Sequence, residues 1–332
     1  MLVAVTGGNG FVGSALLPGL LDAGHDVVLL VRNIQRARDE LALRLGGSQA
    51  LRVLDRLNLV LWNPGTGQLP HEALSTCEAV VHLAGENIGK GRWTTARKQA
   101  LRASRVEGTS LLASSLPPSI RHFICASAVG IYPQPAVGAS LEQAARLAQE
   151  DFAAPGPEAS AERPFLEQLV ADWEHAARAA SQPGRRIVNL RIGIALGSEG
   201  FLAELVPLYR LGLGGPVGPG RGFVPWIHVD DLVAAILWIL RHPHLEGPVN
   251  VVGPSPVPFR ELSASLARAL HRPHLFRVPV LAVRLALGEK AFLATASCAA
   301  QPTKLLASGF VFRFRECSEA LVDVVSRWPG RC

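Results

Sequence analysis

The chain has 332 residues, 48 % hydrophobic and 18 % charged, which excludes general disorder and leaves material for one large α/β core with a smaller appendage. Its net charge of +6 comes almost wholly from arginine, because Lys90, Lys98, Lys290 and Lys304 are the only lysines, and no dense basic tract forms. That pattern excludes a nucleic-acid-binding stripe and fits a small anionic ligand.

Apolar runs of four to six residues alternate with helix-length segments. Residues 2–5, 27–31, 57–61, 79–83, 123–126 and 187–190 read as strands buried on both faces, the pattern of a parallel sheet with right-handed crossovers. The expected fold class is therefore α/β, a doubly wound Rossmann-type parallel sheet with a smaller C-terminal substrate-covering unit. Residues 11–23 read as a helix closed by Gly24, and 93–116 as a long helix stopped by Pro117 and Pro118. Residues 134–163, rich in Ala, Pro, Gly and acids, read as a long surface loop, and Pro164 starts a helix through Ala180. The segment LGLGGPVGPGRGF at 211–223 is an irregular connection of the kind that borders active sites. A strand at 224–229 follows, then Asp230 as the expected cap of a helix over 231–241. The expected units are residues 1–240, the nucleotide-binding domain, and 241–332, a small C-terminal domain. No apolar run approaches the roughly 20 residues of a membrane helix, and residues 2–5 have no basic leader before them. With five cysteines at spacings unlike a zinc site or disulfide framework, the expectation is a soluble, cytoplasmic protein with reduced thiols, no metal and no membrane or nucleic-acid partner.

The segment TGGNGFVG at 6–13 carries the chemistry. It follows a strand and opens a helix, the context that gives this glycine pattern meaning. Gly7 permits the tight turn, Gly10 lets the backbone approach a pyrophosphate, and Gly13 lets helix and strand pack closely, with the amides of Phe11 and Val12 at the helix start. At the end of the second strand, NAD-binding folds place an acid on the ribose hydroxyls; here stand Val31, Arg32 and Asn33. Arg32 suits a 2′-phosphate, so the expected cofactor is NADP. Arg36 and Arg38 either add to that charge or sit solvated on a helix face.

TGGNGFVG, HLAGENI at 82–88, Trp93, Lys98, Ser104 and Arg105, SAVGIY at 127–132, FLEQLVADWE at 165–174, RIGIALG at 191–197, LGLGGPVGPG and PWIHVDDL at 225–232 together resemble one family. It is the atypical, nucleoside-diphosphate-sugar-epimerase-like branch of the extended short-chain dehydrogenases, whose small C-terminal domain resembles the tail from about residue 279. The resemblance implies that Leu83, Ala84, Gly85 and Glu86 line the path from adenosine to nicotinamide. It also implies that Asn63 sits by the adenine, where the family often has an acid. Arg92 either reaches a cofactor phosphate or is a surface arginine.

Typical members use a YxxxK pair, whose lysine lowers the tyrosine pKa for proton exchange during hydride transfer. This chain has only Tyr132 and Tyr209, each with an apolar residue four positions on, and no lysine between Lys98 and Lys290; the region where the resemblance implies the pair, around Phe165 to Val170, offers Phe165 and apolar neighbours. Ser127, close to the family's hydrogen-bonding serine, and Tyr132, a pocket-shaping position, are the catalytic candidates that the resemblance implies. Glu86 and His228 are the remaining titratable candidates, each with a structural alternative. The pairs His242 with His244 and His271 with His274 lack acidic or cysteine partners and read as non-metal. Two functions follow: an NADP-dependent oxidoreductase or epimerase-like enzyme acting on a small polar molecule, with a homodimer as the assembly to test, or an NADP-binding sensor that has lost catalysis.

Overall fold

The computed structural model describes residues 1–67, 69–153, 156 and 164–328. Seven strands form one parallel sheet: β1 (Leu2–Thr6), β2 (Asp26–Val31), β3 (Leu57–Leu61), β4 (Ala79–His82), β5 (His122–Ala128), β6 (Arg186–Ile192) and β7 (Gly247–Val251), in the spatial order β7-β6-β5-β4-β1-β2-β3. Each inner strand is buried on both faces, which is why these segments read as continuous apolar runs. Strand order reverses between β1 and β4, so the crevice for a ligand opens at the carboxyl ends of those two strands.

Helices cover both faces. Helices Phe11–Asp22 and Val229–Arg241 pack Leu16, Leu17, Leu20, Ile236 and Ile239 against Val3, Val5, Leu29 and Val249 on one side. Helices Gly108–Ser114 and Phe165–Ala177 pack Leu112, Trp173 and Ala177 against Ala4, Val80, Phe123 and Cys125 on the other. A second, smaller core joins helices Phe201–Arg210, Phe259–Ala269 and Cys317–Ser326, with Trp226, Tyr209, Leu262, Leu266 and Leu321 at its centre. No helix among the described residues is long and apolar enough to cross a membrane.

Several local expectations need correction. The strand β7 completes the main sheet from beyond residue 240, and Gly247–Val251 pairs in register with β6. Within residues 134–163 a helix forms at Leu141–Arg146; Ser140 accepts the Gln143 amide while Gln143 accepts the Ser140 amide, so a reciprocal cap overrides the loop-like composition. Positions 154–155 and 157–163 of that segment lie outside the described residues. The helix expected over 93–116 starts at Thr95 and is interrupted by a π turn at Ala103–Glu107. Residues 224–229 are not one strand, because Pro225 separates Phe223–Val224 from Trp226–His228. The following helix begins at Val229 and is capped by the His228 ring, not by Asp230.

Candidate functional site

The glycine turn joins β1 to the helix Phe11–Asp22. Gly7 adopts φ +69°, and a Cβ there would lie 2.7 Å from the Ala84 amide nitrogen, so only glycine lets β1 meet the chain leaving β4. A Cβ on Gly13 would lie 2.3 Å from the Gly7 carbonyl oxygen. Gly10 donates its amide to that oxygen at 3.0 Å and begins the helix with no side-chain cap and no acid in the first turn. The start of this helix, Phe11 and Val12 included, therefore offers a positive end to an anion.

Beneath the turn lies a polar clasp absent from the sequence reading. His82 bonds Thr6 Oγ1 through Nδ1 at 2.6 Å and Thr109 Oγ1 through Nε2 at 3.0 Å, while Thr6 Oγ1 accepts the Ala84 amide at 3.2 Å. Complete burial pushes the His82 imidazole down to about 4. A histidine at a strand end looks like a catalytic or random residue from sequence; only the pairing of β1 with β4 reveals its partners.

Val31 is buried at the end of β2, next to β1, and the Arg32 that follows is exposed with no hydrogen bond or ion pair among the described residues. Arg36 is spent on Glu40 at 2.8 Å, and Glu40 also accepts from Asn9 of the turn. Asn33 caps the helix Ile34–Leu45. Asn63 is engaged in its own turn, accepting the Gly65 amide at 3.1 Å.

Leu83, Ala84, Gly85 and Glu86 leave β4 beside the glycine turn. The Glu86 amide donates to Ser104 Oγ at 3.1 Å, its carbonyl accepts from Arg105 at 2.9 Å, and its carboxylate pairs with Arg97 at 3.0 Å. Arg105, which lies over the Trp173 ring, is lowered by burial to about 10. Arg92 points elsewhere: its guanidinium donates to the Leu285 and Ala286 carbonyls at 2.7 and 3.0 Å, tying this loop to the C-terminal unit.

Ser127 and Tyr132 meet in one buried network. Ser127 Oγ donates to Glu174 at 2.7 Å; Glu174 accepts two bonds from Arg191 at 2.8 and 2.9 Å; Arg191 donates to the Tyr132 hydroxyl at 3.1 Å; and that hydroxyl donates to Asn250 at 2.7 Å. Asn250 in turn donates its amide to Glu150. Burial raises the Tyr132 phenol to about 12, so it is held as a neutral hydrogen-bonding group. Glu174, Arg191 and Asn250 come from a helix and two neighbouring strands, and their sequence separation hides the network.

The structure does not bring His228 to these groups. It is buried, its Nδ1 accepts the Asp230 amide at 3.1 Å, and its Nε2 lies 3.2 Å from Asp323. An accepting Nδ1 leaves the proton of a neutral ring on Nε2, so His228, although close to Asp230 and Asp323, has no lone pair there for a metal. Asp231 beside it accepts the Arg313 and Phe314 amides at 2.8 and 3.0 Å. The cluster fastens the chain's tail to the main body. At the start of helix Phe165–Ala177, where the YxxxK pair is missing, Phe165 packs edge-on to Trp93 with centroids 5.3 Å apart, and Leu169 is buried.

The profile of the NAD dependent epimerase/dehydratase family matches residues 3–253, and a domain of unknown function, DUF1731, matches residues 278–324. The chain belongs to the NAD dependent epimerase/dehydratase family. It is 36 % identical over 332 residues to the epimerase family protein Mb2239 of Mycobacterium bovis, covering 99 % of both chains. It is 32 % identical to YfhF of Bacillus subtilis, covering 98 % of both. Among solved structures, human epimerase family protein SDR39U1 (isoform2), solved with NADPH, superposes with a TM-score of 0.80 at 30 % identity, covering 98 % of this chain and 100 % of that one. UDP-glucuronic acid 4-epimerase of Bacillus cereus, solved with NAD, shares the fold at a TM-score of 0.71 and 17 % identity, with 98 % and 99 % covered. This epimerase-family chain thus has the Rossmann fold of NAD(P)-binding proteins, and in it the glycine turn, the uncapped helix start and the loop after β4 lie together.

Proposed function

We propose that the protein is an NADP-dependent oxidoreductase or epimerase-like enzyme acting on a small molecule. One observation carries the reading: an uncapped helix start at Gly10 follows β1, and the exposed Arg32, with no carboxylate partner among the described residues, follows the neighbouring strand β2. Gly7, Gly10, Phe11, Val12 and Gly13 would hold the pyrophosphate, Arg32 the 2′-phosphate, and Leu83, Ala84, Gly85 and Glu86 the path toward the nicotinamide. Val31 and Asn63 would border the adenosine. The bound dinucleotide supplies hydride exchange. Ser127 and Tyr132 would act through the Glu174–Arg191 pair to fix the floor of the reaction cleft, and Arg92 would hold the C-terminal unit over it. On this reading the protein works in the cytoplasm, and the buried, unpaired Cys77, Cys125 and Cys317 are reduced thiols.

Turnover of NADPH against carbonyl compounds and sugar nucleotides tests the enzyme: absorbance of the reduced cofactor falls with a substrate and is spared in Ser127→Ala. A specific observation favours a second reading, a sensor without chemistry, since Ser127 and Tyr132 are both engaged in internal bonds and Phe165 and Leu169 stand at the start of the helix that lacks the YxxxK pair. Tight NADPH binding with no turnover on any compound of the panel selects it.

A further inference from the structure

We propose that Lys98, held by Glu289 of the C-terminal unit, is the cation that receives a substrate oxygen in this cleft, and that the substrate carries this carbonyl or carboxylate oxygen on an apolar body. The inference rests on the nucleotide reading above and deepens it by naming the substrate class.

Placement is the first argument. The Arg97–Glu86 pair pins the start of helix Thr95–Arg102 to the loop leaving β4, which abuts the glycine turn. Lys98 follows Arg97, and its Nζ stands 5.2 Å over the centre of the Phe165 ring at the head of the helix that lacks the family's tyrosine and lysine. The resemblance implies the family's pair near Phe165, and the ammonium reaches that ring from a different helix. Its partner Glu289 sits in the turn Gly288–Ala291 and is more than half exposed, so it can yield one of the three Nζ donors to an incoming oxygen.

The second argument is the placement of the neighbouring cations. Arg92 is turned to two backbone carbonyls, Lys290 is buried against Glu204 and the Gly89 carbonyl, and Arg97 is held by Glu86, whereas Lys98 alone among these stands over an aromatic ring. The third is the apolar cluster to which the Phe165 ring beneath Lys98 belongs. Trp93, Phe165, Ile88, Val129, Phe292 and Leu293 form one apolar cluster, most of it only partly buried. These side chains suit an apolar body, and the Lys98 ammonium, 27 % exposed beside them, offers a charge to an oxygen carried on it.

Benzoate, an oxygen anion on an apolar ring, is the probe. Calorimetry follows its binding to the NADP⁺-loaded full chain in wild type, Lys98→Met and Glu289→Gln, with circular dichroism as the folding control. The expected result is a loss of about tenfold in benzoate affinity for Lys98→Met, a gain for Glu289→Gln, where the competing carboxylate is gone, and unchanged NADP⁺ affinity in both. Equal benzoate affinity in wild type and Lys98→Met, or no benzoate binding to protein that binds NADP⁺, overturns the assignment. So does loss of NADP⁺ affinity in a folded Lys98→Met, which would move the lysine to the nucleotide. If wild type binds no NADP⁺, the nucleotide reading itself fails.

Discussion

Arg191 is fully buried, and its charge is tolerated because Glu174 meets it with two bonds while Tyr132 and the Phe152 carbonyl take others. Glu174→Gln keeps the shape but removes the carboxylate bonded to that guanidinium, and we expect a loss of about 3 to 5 kcal/mol in urea unfolding. His82 gives a second expectation with a definite sign. Its ring titrates at about 4 in the folded chain and near 6.5 when unfolded. Between those values the unfolded chain binds a proton that the native one refuses. The stability contribution is complete above the unfolded value and is lost as pH falls toward 4, amounting to about 3 kcal/mol. His82→Gln should flatten the stability profile in that window, as urea titrations at successive pH values will show; an unchanged slope contradicts the assignment. Gly7 and Gly13 of the turn were legible from sequence because each answers a local demand for close backbone approach. His82, Glu174 and Asn250 were not, since their roles exist only where distant strands and helices meet.

At the scale of elements, the parallel strands were readable because burial on both faces leaves an unbroken apolar signature. Elements with mixed surroundings were not. The short helix Leu141–Arg146 hides in a segment of loop-like composition, although its Ser140 and Gln143 cap was written at the right spacing. The strand Gly247–Val251 is short, begins at a glycine and a proline, and occupies the sheet's edge, so its pattern is weak. At the start of helix Val229–Arg241, in PWIHVDD, His228 caps the helix and Asp231 holds the tail through two backbone amides, the latter role set by contacts with residues far along the chain. Asp231→Ala strips those amides of their acceptor. It should cost about 2 to 4 kcal/mol and speed proteolysis after residue 310, while leaving the glycine turn and its nucleotide affinity intact; limited digestion with and without NADPH checks this.

Across the whole molecule, strand order reverses between β1 and β4, the glycine turn meets the loop after β4 there, and Arg92 ties that loop's continuation to Leu285 near the C-terminal end. The chain has the family's fold and a glycine turn after its first strand, while no YxxxK pair occurs in the sequence and Phe165 begins the helix Phe165–Ala177. The most direct test of the account is calorimetric binding of NADPH and NADH to wild type and Arg32→Ala. We predict that wild type prefers NADPH and that the substitution lowers this preference by about tenfold or more through loss of the charge-assisted bond to the 2′-phosphate. Equal affinities in wild type, or a preference unmoved by removing Arg32, would contradict it.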